Sequence, residues 1–348
     1  MISIDGGLNH TDITILIPTY NRAEGLRVTL EAMCLVERDN LSVVFVVIDN
    51  NSKDNTKEVV KSFNNRLPLS YLFEPRPGKN RALNKAIDEV ELGEIVVFTD
   101  DDVTPEPSWL NQIFASCKRN PEYLIGGGKI ISLWPGGKKP EWYPYAKGVD
   151  RVKSLNFGEE ETLFKNGHLP WGCNFWIRRS LFDKGLRFDE SIGPSSINRA
   201  MGSETSLLLL LAHKSYQMVY CPDSVVYHRL QESLATSKGI RQRAYAFGRG
   251  QARLKGFGFN ELRREHRRLW QLRHVAAIGF TVIRLLIACM SLKNGRRVGS
   301  SLAPISDIAY HIELLKMDHH GKEGIISKWY DLKQAFRKNA TPQTNKDI

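Results

Sequence analysis

Cysteine is scarce in this chain and forms no pattern: Cys34, Cys117, Cys173, Cys221 and Cys289 are odd in number, scattered, and include no C-x-x-C pair. That usage argues against a zinc site and fits reduced thiols in a cytosolic setting. Met1-Ile2-Ser3-Ile4-Asp5-Gly6-Gly7 has no basic region followed by an apolar stretch, so a cleaved secretion signal is not expected. No G-x-x-x-x-G-K-[ST] loop and no G-x-G-x-x-G turn accompanies the strands, which removes support from kinase, NTPase and dehydrogenase readings. Internal repeats are missing too, and only the tail at 340–348 has the composition of a disordered segment.

What is present suits a folded protein. Hydrophobic content of 42% with 25% charged residues is ordinary for a soluble chain, and 348 residues leave room for a sizeable core and more than one domain. Short apolar runs alternate with helical periodicity. Strands are expected over Ile13–Pro18, Val43–Ile48, Leu69–Phe73 and Ile95–Thr99, with helices from Ala23, over Lys53–Asn64 and over Gly78–Val90. Val43–Ile48 is apolar throughout, as in a parallel strand covered on both faces. The alternation predicts a doubly wound α/β domain with a mostly parallel sheet, whose ligands bind at the carboxyl ends of its strands. Beyond it the sequence predicts helices over Trp109–Arg119 and Ser203–His213. Further strands fall near Tyr123–Leu133, over Trp171–Ile177 and over Met218–Tyr220, the last ending at Pro222. The aromatic, proline-rich stretch Trp134–Tyr145 has to be a loop.

Polar residues gather at the strand ends. Asp100, Asp101 and Asp102 follow the buried-type run Glu94–Phe98, and because unpaired buried charge is costly they belong where solvent or a cation meets them. Extended alternation would point Asp100 and Asp102 the same way, as two hard oxygen donors for a divalent ion on a diphosphate. The alternative is an acidic turn capping the next helix, ahead of Pro105 and Pro107. Pro18-Thr19-Tyr20-Asn21-Arg22 ends the first strand and Asp49-Asn50-Asn51-Ser52 the second. There Asp49 is either a helix cap or an acceptor for a nucleobase or ribose. Pro77–Asn84 adds positive charge and helix-start amides suited to phosphates. Together these describe a nucleotide-sugar pocket.

In these segments the chain resembles the family 2 glycosyltransferases of the GT-A fold. The matching stretches are Thr14–Arg22, Val47–Ser52, Asn80–Asn84, the DxD-type Asp100-Asp101-Asp102, Gly172-x-Asn174-x-x-x-Arg178-Arg179, Phe188-Asp189-Glu190 and Gly202-Ser203-Glu204. The resemblance implies an inverting transfer from a nucleotide sugar, UDP being the commonest handle, to a hydroxyl of a glycan or lipid-linked acceptor. It implies a nucleotide-sugar site from Pro18, Tyr20, Asn21, Arg22, Asp49, Asn80, Arg81, Asp100 and Asp101, with Asp49 on the base. Asp102, with Asp100 and His228, would hold Mg2+ or Mn2+; Trp171, Gly172 and Asn174 would lie beneath donor sugar and acceptor. Glu204 is the candidate base that takes the proton of the acceptor hydroxyl. Similar enzymes usually carry two adjacent acids there, whereas this chain has Ser203-Glu204-Thr205. That departure leaves the base open by one position and keeps an inactive scaffold or binding subunit as the alternative. A sugar-phosphate nucleotidyltransferase would need a glycine-rich loop after the first strand, and Pro18–Arg22 has no glycine.

The +11 net charge is uneven. Arg229 to Arg297 holds thirteen Arg and three Lys against three Glu, a local +13. Such a segment suits an anionic surface, lipid headgroups being favoured and no nucleic acid expected. Within it Val275–Leu292 approaches a membrane span in length, but Arg284 lies in its middle and Arg273, His274, Thr281, Arg284 and Ser291 share one side. We read it as an in-plane amphipathic helix on the cytosolic face of the membrane. The alternative is a helix packed on the protein itself or on a second copy in a homo-oligomer. The expected domains are 10–230 for the catalytic fold and 231–330 for the basic helical region.

Overall fold

A computed structural model describes residues 11–146, 154–165, 167–194, 201–255, 267–290 and 294–319. The chain divides into two compact units, one from residues 1–139, 150–199 and 203–235, the other from residues 140–149, 200–202 and 236–348.

The first unit is built on one nine-stranded sheet. In chain order its elements are β1 Ile13–Thr19, α1 Ala23–Met33, β2 Val43–Asp49, α2 Thr56–Ser62, β3 Leu69–Phe73, α3 Lys79–Glu89, β4 Ile95–Phe98, β5 Val103–Pro105 and α4 Trp109–Arg119. There follow β6 Ile125–Leu133, β7 Thr162–Leu163, β8 Phe175–Arg178, α5 Arg179–Asp183, α6 Ser203–His213, β9 Val219–Arg229 and α7 Glu232–Ala235. The strand order is β3-β2-β1-β4-β8-β6-β9-β5, with β7 beside β9. Strands β1 to β4 are parallel, as their unbroken apolar runs require, while β8 enters antiparallel between β4 and β6. Alternation sorts the side chains into two layers. Ile13, Ile15 and Ile17 pack with Leu26, Leu30 and Trp109 on one face. Leu16, Val46 and Ile48 pack with Leu83, Ala86 and Leu208 on the other. Phe98 stacks on Phe175 at 4.6 Å between centroids, which joins β4 to β8.

Two expected boundaries move for physical reasons. Strand β9 does not stop at Pro222 but runs to Arg229. Its register against β6 jumps from Gly128 opposite Cys221 to Lys129 opposite Val225, so the residue without an N–H sits in a bulge where no ladder bond is lost. Gly126 and Gly128 make room there: a Cβ would stand 2.1 Å from the Trp176 ring at the first and 2.0 Å from the Ser224 carbonyl at the second. The strand expected over Trp171–Ile177 shrinks to Phe175–Arg178, because residues 171–174 close a turn in which the Asn174 N–H donates to the Trp171 carbonyl (3.1 Å). All five cysteines are free thiols.

The second unit is helical, with α8 Ser237–Lys255, α9 Arg267–Cys289 and α10 Asn294–His319. Gly248 lets α8 approach α10 closely, a Cβ there standing 1.9 Å from the Ser306 carbonyl. Arg249 (2.8 Å) and Arg253 (2.7 Å) converge on the buried carboxylate of Glu313. Helix α9 lays its polar stripe on α10: His274 meets His311 at 2.7 Å, Arg284 pairs with Asp307 at 3.1 Å, and Thr281 is buried. Its large apolar residues, Leu272, Val275, Phe280, Ile283, Leu286 and Ile287, are exposed instead. The break expected at Gly256–Gly258, Ser291 and Leu292, and the tail at 340–348 lie outside the described residues.

Candidate active site

The carboxyl ends of β1, β2 and β4 form the site. Thr19 and Asp49, the last residues of β1 and β2, are partners in register. The loops that follow are clamped together by Asn21, which adopts φ +50, donates its N–H to Ser52 Oγ (2.9 Å) and accepts the Lys53 N–H on Oδ1 (2.6 Å). Asp49 is buried and accepts from the Ser52 N–H and the Tyr71 hydroxyl, each at 2.8 Å. Burial, and the carboxylate it donates to, hold the Tyr71 phenol well above its usual range. Asn50 accepts the Gly78 N–H at 2.7 Å and so fixes the entry to α3, where Gly78 takes φ +139 that side chains rarely adopt.

The three acids part company. Strand β4 ends at Phe98 and the chain turns at 101–102, so extended alternation does not govern them, and Asp100 and Asp102 do not point together. Asp100 accepts from Lys79 Nζ at 2.7 Å. Asp101 accepts from Thr19 Oγ1 and from Arg22, both at 2.7 Å; burial pushes its carboxyl up against the pull of Arg22. Asp102 accepts from the same guanidinium at 3.0 and 3.1 Å. Burial opposes its ionisation, yet His228 and Arg22 hold its carboxyl well below the usual range. Arg22, expected on the nucleotide, is thus engaged by the acids. Beneath them Arg229 donates its N–H to the Asp102 carbonyl (2.8 Å) and its guanidinium to the Val103 carbonyl, Thr104 Oγ1 and Thr29 Oγ1, each at 2.6 Å.

One oxygen bears on the metal. Asp102 Oδ1 is buried and among the described residues accepts no well-aligned hydrogen bond; His228 Nε2 stands 3.3 Å away. A hard oxygen left open beside an imidazole suits a divalent cation. Among the described residues no group of three or more His, Cys, Asp or Glu is arranged to hold a metal, so a ligand's oxygens would have to complete its shell.

Across from the acids, Glu204 occupies the first turn of α6 and is buried. Lys79 Nζ bridges it to Asp100, an ion pair on either side of one ammonium. Gly172 lies against this carboxylate: a Cβ there would stand 2.5 Å from its Cδ and 2.6 Å from Oε1. Gly172→Ala is therefore expected to displace Glu204 and lower the turnover of the site about 100-fold, with the thermal midpoint little changed, as kinetics and calorimetry on the same variant would show. Turnover within threefold of wild type would mean that the placement of Glu204 does not matter.

Other expected residues serve the scaffold. Asn174 is not available to a sugar: it is fully buried, donates to the carbonyls of Lys129 (3.0 Å) and Ser224 (2.8 Å), and accepts from Trp109 Nε1 (2.9 Å). Asn80 is likewise buried; it donates to the carbonyls of Asp189 (2.6 Å) and Ile192 (2.9 Å) and accepts from Ser203 Oγ. Arg81 donates to Glu190 at 3.2 Å. Trp171 is half-buried on the core, Pro18 is buried within β1, and Tyr20 is exposed. Lys79 and Arg229 were not singled out by residue type. Lys79 has a signal in retrospect, a cation at the first position of a helix in a basic stretch that the triple acid could face; Arg229 has none.

A sheet of this order, with acids and a carboxylate gathered at the carboxyl ends of β1, β2 and β4, defines a GT-A glycosyltransferase fold. A mannosyltransferase of Pyrobaculum calidifontis, solved with GDP-mannose and Mn2+, shares it at a TM-score of 0.53 and 19% identity, over 90% of this chain and 88% of that one. The chain belongs to glycosyl transferase family 2, whose family model matches residues 14–186. Among its relatives are glycosyltransferase AglE of Haloferax volcanii, 23% identical over 62% of this chain and 66% of that protein, and succinoglycan biosynthesis protein ExoM of Rhizobium meliloti, 25% identical over 70% and 75%.

Proposed function

We propose that the chain moves a sugar, with inversion, from a nucleoside diphosphate sugar to a hydroxyl of a glycan or lipid-linked acceptor. The observation that carries the reading is a run of ion pairs after β4: Lys79 joins Glu204 to Asp100, and Asp102, two residues on, stands beside His228. Asp49 and the clamped loops after β1 and β2 receive the nucleotide, UDP being the first choice. Asp102 and His228 would hold Mg2+ or Mn2+, which when bound supplies charge to the departing diphosphate. Glu204 takes the proton of the acceptor hydroxyl as its oxygen bonds to the anomeric carbon and the bond from that carbon to the diphosphate oxygen breaks. The electron pair of the broken bond leaves with the nucleoside diphosphate, and Arg22 keeps the acids in place throughout. A panel of UDP-, GDP- and dTDP-sugars, screened with MnCl2 for thermal shift and hydrolysis, tests this. Stabilisation of wild type but not of Asp102→Ala supports it; indifference to every nucleotide favours a scaffold subunit instead.

We further place α9 in the interface of an anionic membrane. Among the described residues it is the one helix long and apolar enough to cross, Gln271–Cys289 having a mean hydropathy of 1.7. Its partner α10 carries Arg296, Arg297, Asp307 and Glu313, which could not be immersed, so the helix lies in plane with its outer face among the acyl chains. Ile283→Asp with Ile287→Asp is expected to weaken sedimentation with phosphatidylglycerol-containing vesicles at least about tenfold. Unchanged sedimentation would rule the face out.

A further inference from the structure

We propose that Arg229 is a positioning residue for the metal pair: it braces the turn that carries Asp101 and Asp102 against the end of β9, where His228 stands. The inference rests on the reading of Asp102 and His228 as cation ligands and adds what keeps them together. Strand β5, which leaves the turn, is three residues long and ends the strand order of the sheet, with β9 as its neighbour there. Its register sets Val103 opposite His228, and Pro105 has no N–H to give to the ladder. So short an edge strand holds its place weakly by itself.

Arg229 supplies what the ladder lacks. Its backbone N–H carries the pairing one residue beyond β5, to the Asp102 carbonyl at 2.8 Å. Its guanidinium donates to the Val103 carbonyl and Thr104 Oγ1 on β5 and to Thr29 Oγ1 on α1, each at 2.6 Å, and to the Gly25 carbonyl on α1 at 3.1 Å. Thr29 is fully buried and passes the link on, donating its hydroxyl to the Asp101 carbonyl at 2.8 Å. The backbone of both acids is thus held from below through one planar fork, whose spread of donors a lysine does not reproduce. A small divalent cation tolerates little drift, since adjacent donors at about 2.1 Å from it stand about 3 Å apart. Asp102 Oδ1 lies 3.3 Å from His228 Nε2. The brace keeps that separation against the mutual repulsion of three consecutive carboxylates.

The test titrates MnCl2 into full-length protein with UDP, and with GDP as a second arm, and follows bound Mn2+ by electron paramagnetic resonance. The sign of the change is diagnostic. If Arg229 mattered only as a charge near the ion, its removal would relieve repulsion and tighten Mn2+. The brace predicts the reverse: Arg229→Met is expected to bind Mn2+ about 30-fold more weakly than wild type, and Thr29→Val about fivefold. Combining the two should weaken binding no further than Arg229→Met alone, because both break one link. Unchanged or tighter Mn2+ binding in Arg229→Met overturns the proposal. Thr14→Val is the control for stability, since it removes a buried hydrogen bond from the Gly93 N–H (2.8 Å) near the other end of β1. It should lower the thermal midpoint as Thr29→Val does, yet leave Mn2+ binding within about twofold of wild type. An equal loss of Mn2+ in both threonine variants overturns the proposal. Where Arg229→Met does not fold, Arg229→Lys serves: it keeps the charge and should still bind about tenfold more weakly, and wild-type affinity overturns the proposal. If wild type binds Mn2+ with neither nucleotide, the metal reading itself fails and takes the inference with it.

Discussion

Asp102→Asn is expected to lower glycosyl transfer by about three orders of magnitude while the protein stays folded. The substitution keeps the size of the side chain and leaves Arg22 its partner in Asp101. What it removes is a buried carboxylate oxygen that accepts no well-aligned hydrogen bond among the described residues and lies beside His228. The leaving nucleoside diphosphate gathers negative charge as the glycosidic bond breaks, and a positive charge fixed at that point counts for most in a site shielded from water. Binding of Mn2+ in the presence of UDP, followed by electron paramagnetic resonance, should weaken in parallel with the rate. Asp100→Asn is the informative comparison. Asp100 faces Lys79 and not His228, so it should disturb the rate while sparing the ion. If Asp102→Asn keeps transfer within tenfold of wild type, or if Asp100→Asn is the variant that loses Mn2+, the assignment within the triplet is wrong.

That assignment was only half legible in the sequence. Strands β1 to β4 announce themselves, because a parallel strand covered on both faces must be apolar along its whole length and must end where the first polar residue meets solvent. Placing Asp49 and the triple acid at strand ends needed nothing more. The direction of each acid did need the structure: alternation holds only while the chain is extended, and the turn at 101–102 sends Asp100 toward Lys79 and leaves Asp101 and Asp102 to Arg22. Asn174 illustrates a different limit. An amide beside a glycine reads equally well as a sugar ligand or as a core hydrogen-bonding hub, and only the positions of Trp109, Lys129 and Ser224, all remote in sequence, decide for the hub. Arg229 is hidden for the same reason, since its partners come from β5 and α1. In α9 the sequence put His274, Thr281 and Arg284 on one side but did not give the direction of that side. His274 and Arg284 meet α10, and the large apolar residues face outward.

Glu204→Gln is expected to reduce the turnover number about 1,000-fold, with nucleotide binding retained. Glutamine matches glutamate in size and still occupies the place against Gly172, so the loss measures the proton acceptor alone and not the packing. The neighbours cannot stand in for it. Ser203 Oγ donates to Asn80 within the core, and Thr205 is a hydroxyl with no charge to offer, which favours Glu204 among Ser203-Glu204-Thr205. Glu204→Asp adds a second measure. Shortening the arm by one methylene keeps the carboxylate and its charge but withdraws it from the acceptor, and a fall of about 100-fold is expected from misplacement alone. Steady-state kinetics with the donor found in the nucleotide-sugar screen would separate the two effects, because both should lower the turnover number and neither should raise the donor KM. A Glu204→Gln enzyme that transfers sugar at near wild-type rate would show that the acceptor's proton goes elsewhere.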